Sequence, residues 1–158
     1  MKNVFILIVI VFFFNNTSFS AATSNNDGDS NYKKGYSLIK QAKKLEKKEK
    51  IKKAHKKYTK ALNYLIKANI EKPNEPNTLN YLGFVSRKIG NFEIAEKYYL
   101  EGLSFDPNHV GINEYLGELY VNTNRIDKAK ERLKVLENCN CEEFEELSNA
   151  IKSGSSKY

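Results

Sequence analysis

The sequence predicts an all-α solenoid of about three helix-turn-helix repeats closed by a C-terminal capping helix. Three observations carry that expectation. Tyr81-Leu82-Gly83 returns as Tyr115-Leu116-Gly117, thirty-four positions on. Alanines stand at the same interval, at Ala61, Ala95 and Ala129. Pro73 and Pro107 are separated by that interval again. A fixed period of this length marks stacked units, each of which needs its neighbour to bury an apolar face. At 158 residues and 18.2 kDa the chain has room for one such domain and a leader, which excludes a multidomain machine. With 41% hydrophobic and 28% charged residues it is too apolar to be wholly disordered.

Residues 1–22 read as a secretory signal. Lys2 precedes an unbroken apolar run from Val4 to Phe14, and small residues follow at Ser18, Ser20, Ala21 and Ala22. Cleavage after Ser20 or Ala22 fits the small-x-small pattern. As a membrane anchor the run is too short, because a helix of that length reaches only ~17 Å against a hydrocarbon core of about 30 Å. The mature chain is therefore expected in a periplasm or outside the cell. Residues 23–31 (TSNNDGDSN) hold no large apolar side chain. Nothing there offsets the entropy of ordering, so they are expected to be a flexible linker.

The periodic region predicts helices over 33–50, 53–72, 76–89, 92–105, 110–123 and 126–138. Gly83 and Gly117 fall in mid-helix, where glycine costs about 1 kcal/mol relative to alanine. Their presence points to helices that approach too closely for a side chain. The alanines supply small knobs at the same crossing. Four positions beyond each stands a large residue, Leu65, Tyr99 or Leu133, one turn on and on the same face. Ala68 and Gly102 keep the next turn small. Pro73 and Pro107 end their units because proline cannot continue a helix.

On these residues the chain resembles the tetratricopeptide repeat (TPR) family, in the form of an exported bacterial-type TPR protein. The family pattern lies over Leu79, Leu82, Gly83, Ser86, Ala95, Tyr99, Gly102 and Pro107, and then over Asn113, Leu116, Gly117, Tyr120, Ala129, Leu133, Leu136 and Cys141. The first unit matches only at Ala61, Leu65, Ala68 and Pro73, because Lys48-Glu49 stand where Leu-Gly is expected. The resulting organisation is a divergent Lys-rich unit at 32–75, TPR units at 76–109 and 110–141, and a cap with its tail at 142–158. The resemblance implies a concave groove lined by Asn80, Phe84 and Arg87 from one unit and Glu114, Glu118 and Val121 from the next. TPR domains that clamp acidic C-termini use lysine and asparagine at such positions, and Glu114 and Glu118 depart from that. A basic or mixed-charge protein segment is the expected partner.

The cap is expected over Glu142 to Lys152. Phe144, Leu147, Ala150 and Ile151 share one face, while Glu142, Glu143, Glu145 and Glu146 crowd the first turn and complement the helix dipole. Just before it, Cys139 and Cys141 can bridge in an oxidising compartment, although a loop of one intervening residue gains little entropy. Similarity to exported TPR proteins with a cysteine pair ahead of an acidic terminal helix implies a structural pin. A redox or metal role is the competing reading.

No catalytic constellation or cofactor motif is present in the sequence. His55 sits in a lysine run and His109 in a turn, both expected to be solvated, and neither has metal-ligand spacing to a cysteine or acid. Glu114 and Glu118 share a helix face without a nucleophile or phosphate loop nearby. The reading is a non-enzymatic, protein-binding scaffold.

The net charge of +7 is concentrated at one end. Residues 32–60 hold 13 lysines and 2 glutamates, whereas 61–158 hold 12 basic and 15 acidic residues, so one helix is strongly basic and the remainder mildly acidic. Lys43, Lys44, Lys47, Lys48, Lys52 and Lys53 form the alternative binding surface, for an anionic membrane or an envelope polyanion. Export and a content of only three arginines argue against nucleic acid. A solvated face is the competing reading of the lysines.

Overall fold

The structure, a computed structural model, describes residues 27–156. The expected signal, residues 1–22, lies outside the described residues. Among the described residues seven helices follow in order: α1 Asp27–Glu46, α2 Ile51–Glu71, α3 Pro76–Lys88, α4 Phe92–Phe105, α5 Val110–Asn122, α6 Ile126–Leu136 and α7 Glu142–Ser153. They form an all-α TPR solenoid. Helices α1 and α2, α3 and α4, and α5 and α6 pack as antiparallel hairpins, each second helix meets the hairpin that follows, and α7 closes the stack against α5 and α6.

Every element begins or ends for a local reason. Pro76 stands at the start of α3, where its missing N–H is no loss. His109 caps α5 by accepting the Ile112 N–H at Nδ1, 3.1 Å away, so it is half-buried and structural rather than the solvated turn residue expected. The turn inside each hairpin passes through one residue of positive φ: Glu49 at 56°, Gly90 at 91° and Asn124 at 57°. Gly90 takes that conformation freely, while the other two accept steric cost.

Tyr99 explains Gly83. A Cβ on Gly83 would lie 2.4 Å from the Tyr99 ring, which is fully buried. The ring occupies the slot, and burying it contributes about 2–3 kcal/mol. At Gly117 the slot is filled from another element, because its nearest neighbour is Leu147 of α7 at 2.5 Å. Leu133, the expected large residue of that unit, is only partly buried. The cap thus supplies the knob that the third unit's own helix does not.

Two expectations are corrected in the first unit. Helix α1 starts at Asp27, inside the expected linker, and ends at Glu46 rather than at position 50. Its early turns are held because Asn31 Nδ2 donates to both carboxylate oxygens of Glu71, at 2.8 and 3.0 Å, and Tyr32 packs 6.0 Å from the Tyr81 ring. Its end is set by the turn at Glu49, closed by the Lys50 N–H on the Leu45 carbonyl at 2.9 Å. The missing crossing glycine is Gly35. A Cβ there would lie 2.8 Å from Leu65 Cγ, and Leu65 is the counterpart of Tyr99 one period earlier. Gly35 precedes Ala61 by twenty-six positions, whereas Gly83 precedes Ala95 and Gly117 precedes Ala129 by twelve. Fourteen residues have therefore been added to the first hairpin, beyond the crossing.

Candidate functional site

Helices α3 and α5 lie side by side as the first helices of successive hairpins. Asn80, Phe84 and Arg87 recur at steps of four and three along α3, so they share a face, and Glu114, Glu118 and Val121 repeat that spacing on α5. The structure brings the two sets together. Arg87 Nη2 donates to Glu118 Oε2 at 2.9 Å, and the Phe84 ring lies 5.0 Å from that of Tyr115.

They are not, however, an open groove lining. All six side chains are buried, from 0% exposed at Phe84 and Glu118 to 5% at Asn80. From α1, the Lys43 ammonium stands 4.6 Å from the centre of the Phe84 ring and donates to Tyr115 Oη at 3.4 Å. From α7, Glu146 hydrogen-bonds to Glu114. The tail after α7 turns back through Gly154, whose φ of 68° makes the reversal cheap. Ser156 Oγ then accepts from Asn122 Nδ2 at 2.8 Å and from Arg87 Nη1 at 3.4 Å, and the Ser156 N–H donates to Asn122 Oδ1 at 3.3 Å.

Burial reshapes the charges. Glu114 is pushed up to about 9, first by desolvation, then by its hydrogen bond to Glu146 and by the Glu118, Glu146 and Glu143 charges. It therefore keeps its proton at neutral pH. Burial also raises Glu118, while the Arg87 guanidinium 2.9 Å away pulls the other way. Lys43 is lowered by burial, against the opposing pull of Glu114, Glu146 and Glu118. Glu114 and Glu118 consequently do not present two free negative charges, which removes the sequence-level reason for expecting a basic partner.

The cluster retains unused acceptors. Among the described residues, Asn80 Oδ1, Glu114 Oε1 and Glu118 Oε1 are buried without a donor. Gly111 makes room for the first of these side chains, since a Cβ there would stand 2.9 Å from Asn80 Nδ2. Lys43, Glu146 and Asn122 belong to the site, although from sequence Lys43 is expected in the patch for an anionic surface and Glu146 in the cap's first turn, and Asn122 is not singled out. Asn122 was within reach of such a reading, four positions beyond Glu118 on the same face.

The remaining candidates lie elsewhere. Lys44, Lys47, Lys48, Lys52 and Lys53 are exposed on α1, α2 and the turn between them, so Lys43 alone of that set faces the site. Cys139 and Cys141 are disulfide-bonded immediately before α7. No group of His, Cys, Asp and Glu suited to a metal ion occurs among the described residues.

Comparison with known proteins agrees with this architecture. The first TPR of Spaghetti (RPAP3), solved bound to the HSP90 peptide SRMEEVD, superposes with a TM-score of 0.57 at 18% identity, covering 78% of this chain and 94% of that one. The fold is that of a TPR domain. The first TPR domain of human RPAP3 gives 0.56 at 18% identity, covering 80% of this chain and 99% of that one. The TPR domain of Arabidopsis OM64 gives 0.55 at 12% identity, covering 78% and 98%. Residues 32–83 match the family model of the MIT (microtubule interacting and transport) domain. That match covers the lengthened first hairpin and part of α3, the region where the TPR period is interrupted. No curated protein sequence matches the chain.

Proposed function

We propose that the chain is an exported, non-enzymatic TPR scaffold that binds an extended, mixed-charge segment of another protein along the face shared by α3, α5 and α7. The observation that carries this reading is the set of buried acceptors without donors: Asn80 Oδ1, Glu114 Oε1 and Glu118 Oε1. A buried acceptor left unmade costs about 1–3 kcal/mol, and the backbone N–H groups of an extended peptide are donors of the right kind, reaching these atoms by displacing the tail that Ser156 lays over Arg87 and Asn122. The way Asn122 holds both the N–H and the hydroxyl of Ser156 supports it, because that is how an amide side chain grips a passing backbone. The peptide-bound TPR of Spaghetti supports it by analogy of fold. Mixed charge is favoured because Lys43 faces the same cluster as the three glutamates. The signal-like leader and the Cys139–Cys141 disulfide support export to an oxidising compartment.

Crosslinking in cells followed by identification of the captured protein tests the reading. Asn122→Ala, at an exposed position on this face, should lower capture about tenfold with the thermal midpoint close to unchanged, as expected for loss of one polar contact to a ligand. Equal capture by the variant rejects the site. Charge reversal at Glu118 is unsuitable for this purpose, since it would set a second cation against buried Arg87.

A further inference from the structure

The fourteen residues added to the first hairpin begin near the concave face, where Lys43 meets Phe84, but from Lys47 onward they have no part in the crossing or in that face and are mostly lysine. Relative to the shared alanine, α2 begins seven positions earlier than α4 and α6, about 10 Å of extra helix. Helix α1 is lengthened to match. Lys88 at the end of α3 reaches only to Glu46, where Nζ meets Oε1 at 2.7 Å. Beyond that level the hairpin runs on as a finger. It carries Lys47, Lys48, Lys50, Lys52, Lys53 and Lys56, all exposed, with Glu49 as the single exposed acid. Glu46 does not offset them, because it is held by Lys88 and by the Tyr58 hydroxyl at 2.8 Å. Immediately after the turn stands Ile51, the first residue of α2, 60% exposed among the lysines.

We propose that this finger docks the protein on an anionic phospholipid bilayer. Its lysines meet the headgroups, and Ile51 enters the interface between headgroup and acyl chain. Lysine stems are flexible enough to lie along such a surface while their ammonium groups stay with phosphate. An exposed isoleucine beside the turn of the finger has no use in a purely electrostatic contact, and gains from an apolar layer beneath the headgroups. Nucleic acid fits less well. The arginines at 87, 125 and 132 all lie in the body of the stack, so the finger has no bidentate phosphate clamp, and Tyr58, its only aromatic, is buried. Docking through the finger leaves the face around Asn80 and Asn122 free for a partner.

The test uses the mature full chain, sedimented with vesicles of phosphatidylcholine alone and with phosphatidylglycerol added. Binding should be at least about tenfold tighter to the anionic vesicles and should fall about tenfold or more between roughly 50 and 500 mM salt. Replacing Lys47, Lys48, Lys52 and Lys53 by Glu should abolish it with the thermal midpoint unchanged, since these side chains touch no core. Ile51→Ser should weaken vesicle binding several-fold and leave heparin binding unaltered. Absence of binding, or equal binding to neutral and anionic vesicles, overturns the proposal. So does binding to heparin or an oligonucleotide as tight as to vesicles with no effect of Ile51→Ser, which would make the finger a polyanion surface instead.

Discussion

In α1 and α2 the glycine that permits the helices to cross stands twenty-six positions ahead of its alanine, while in the next two hairpins the distance is twelve. The crossing survives the difference. Gly35 meets Leu65 much as Gly83 meets Tyr99, and the added turns extend past the contact without altering it. What changes is the company the charges keep. Helices α3 and α5 have neighbours on both sides, so their ionisable groups are buried and matched, Arg87 with Glu118. The finger has no neighbour beyond α3, so its lysines stay in water. The contrast teaches that a repeat's place in the stack, more than its charge, decides whether ionic residues serve structure or contact.

Substitutions can break that contrast, beginning with the largest effect. Arg87→Ala should cost about 3–5 kcal/mol in urea unfolding, because it strands the Glu118 carboxylate, whereas Lys47→Ala in the finger should stay within about 0.5 kcal/mol. Similar losses at the two positions would erase the distinction. Gly83→Ala forces a methyl onto a buried ring and should lose about 2 kcal/mol. At Gly35 the obstacle is the flexible Leu65 side chain, and the gain in helix propensity should hold the loss below about 1 kcal/mol. A larger loss at Gly35 than at Gly83 would show that the first crossing is the tighter one.

The acid cluster sharpens the comparison through pH. Glu114 keeps its proton in the folded protein up to about 9, while the unfolded chain releases it near the ordinary value of 4.5. The folded state therefore binds more protons over that window, and this group's effect is a stability that falls as pH rises from about 4.5 to about 9. Glu114→Gln should raise the thermal midpoint by several degrees near pH 8 and leave it unchanged near pH 4, and a pH-independent effect would contradict the protonated assignment. The smallest expected change is in the finger's turn. Glu49 holds the positive φ that Gly90 takes in the second hairpin, so Glu49→Gly should stabilise by about 1 kcal/mol in the same urea assay, and destabilisation would show that the Glu49 side chain is needed there.

The second helices of the repeats were legible because their small and large residues recur at a constant interval, and the ends of α3 and α4 fall within one position of expectation. The first helix was not, because fourteen inserted residues throw Gly35 out of the period, and a search at the repeat interval lands on Lys48-Glu49 instead. The start of α1 was missed for a different reason. Residues 27–31 have no apolar pattern, and their order depends on a contact with Glu71, far along the chain at the end of α2. At the site, helical spacing placed six residues on one face but said nothing of what covers them. Lys43, Glu146 and Ser156 arrive from three distant segments, and only the folded chain pairs them with Glu114, Tyr115 and Arg87.

The contact between Ser156 and Asn122 bears on how this protein is handled. Ser156 lies beside Arg87, on the face assigned to the partner. An affinity handle fused to that end would start inside the surface it is meant to interrogate, and would compete there at the high local concentration of a tethered segment. Immobilisation from the end that precedes α1 keeps the handle off this face, so bait orientation alone can separate an empty capture experiment from a full one.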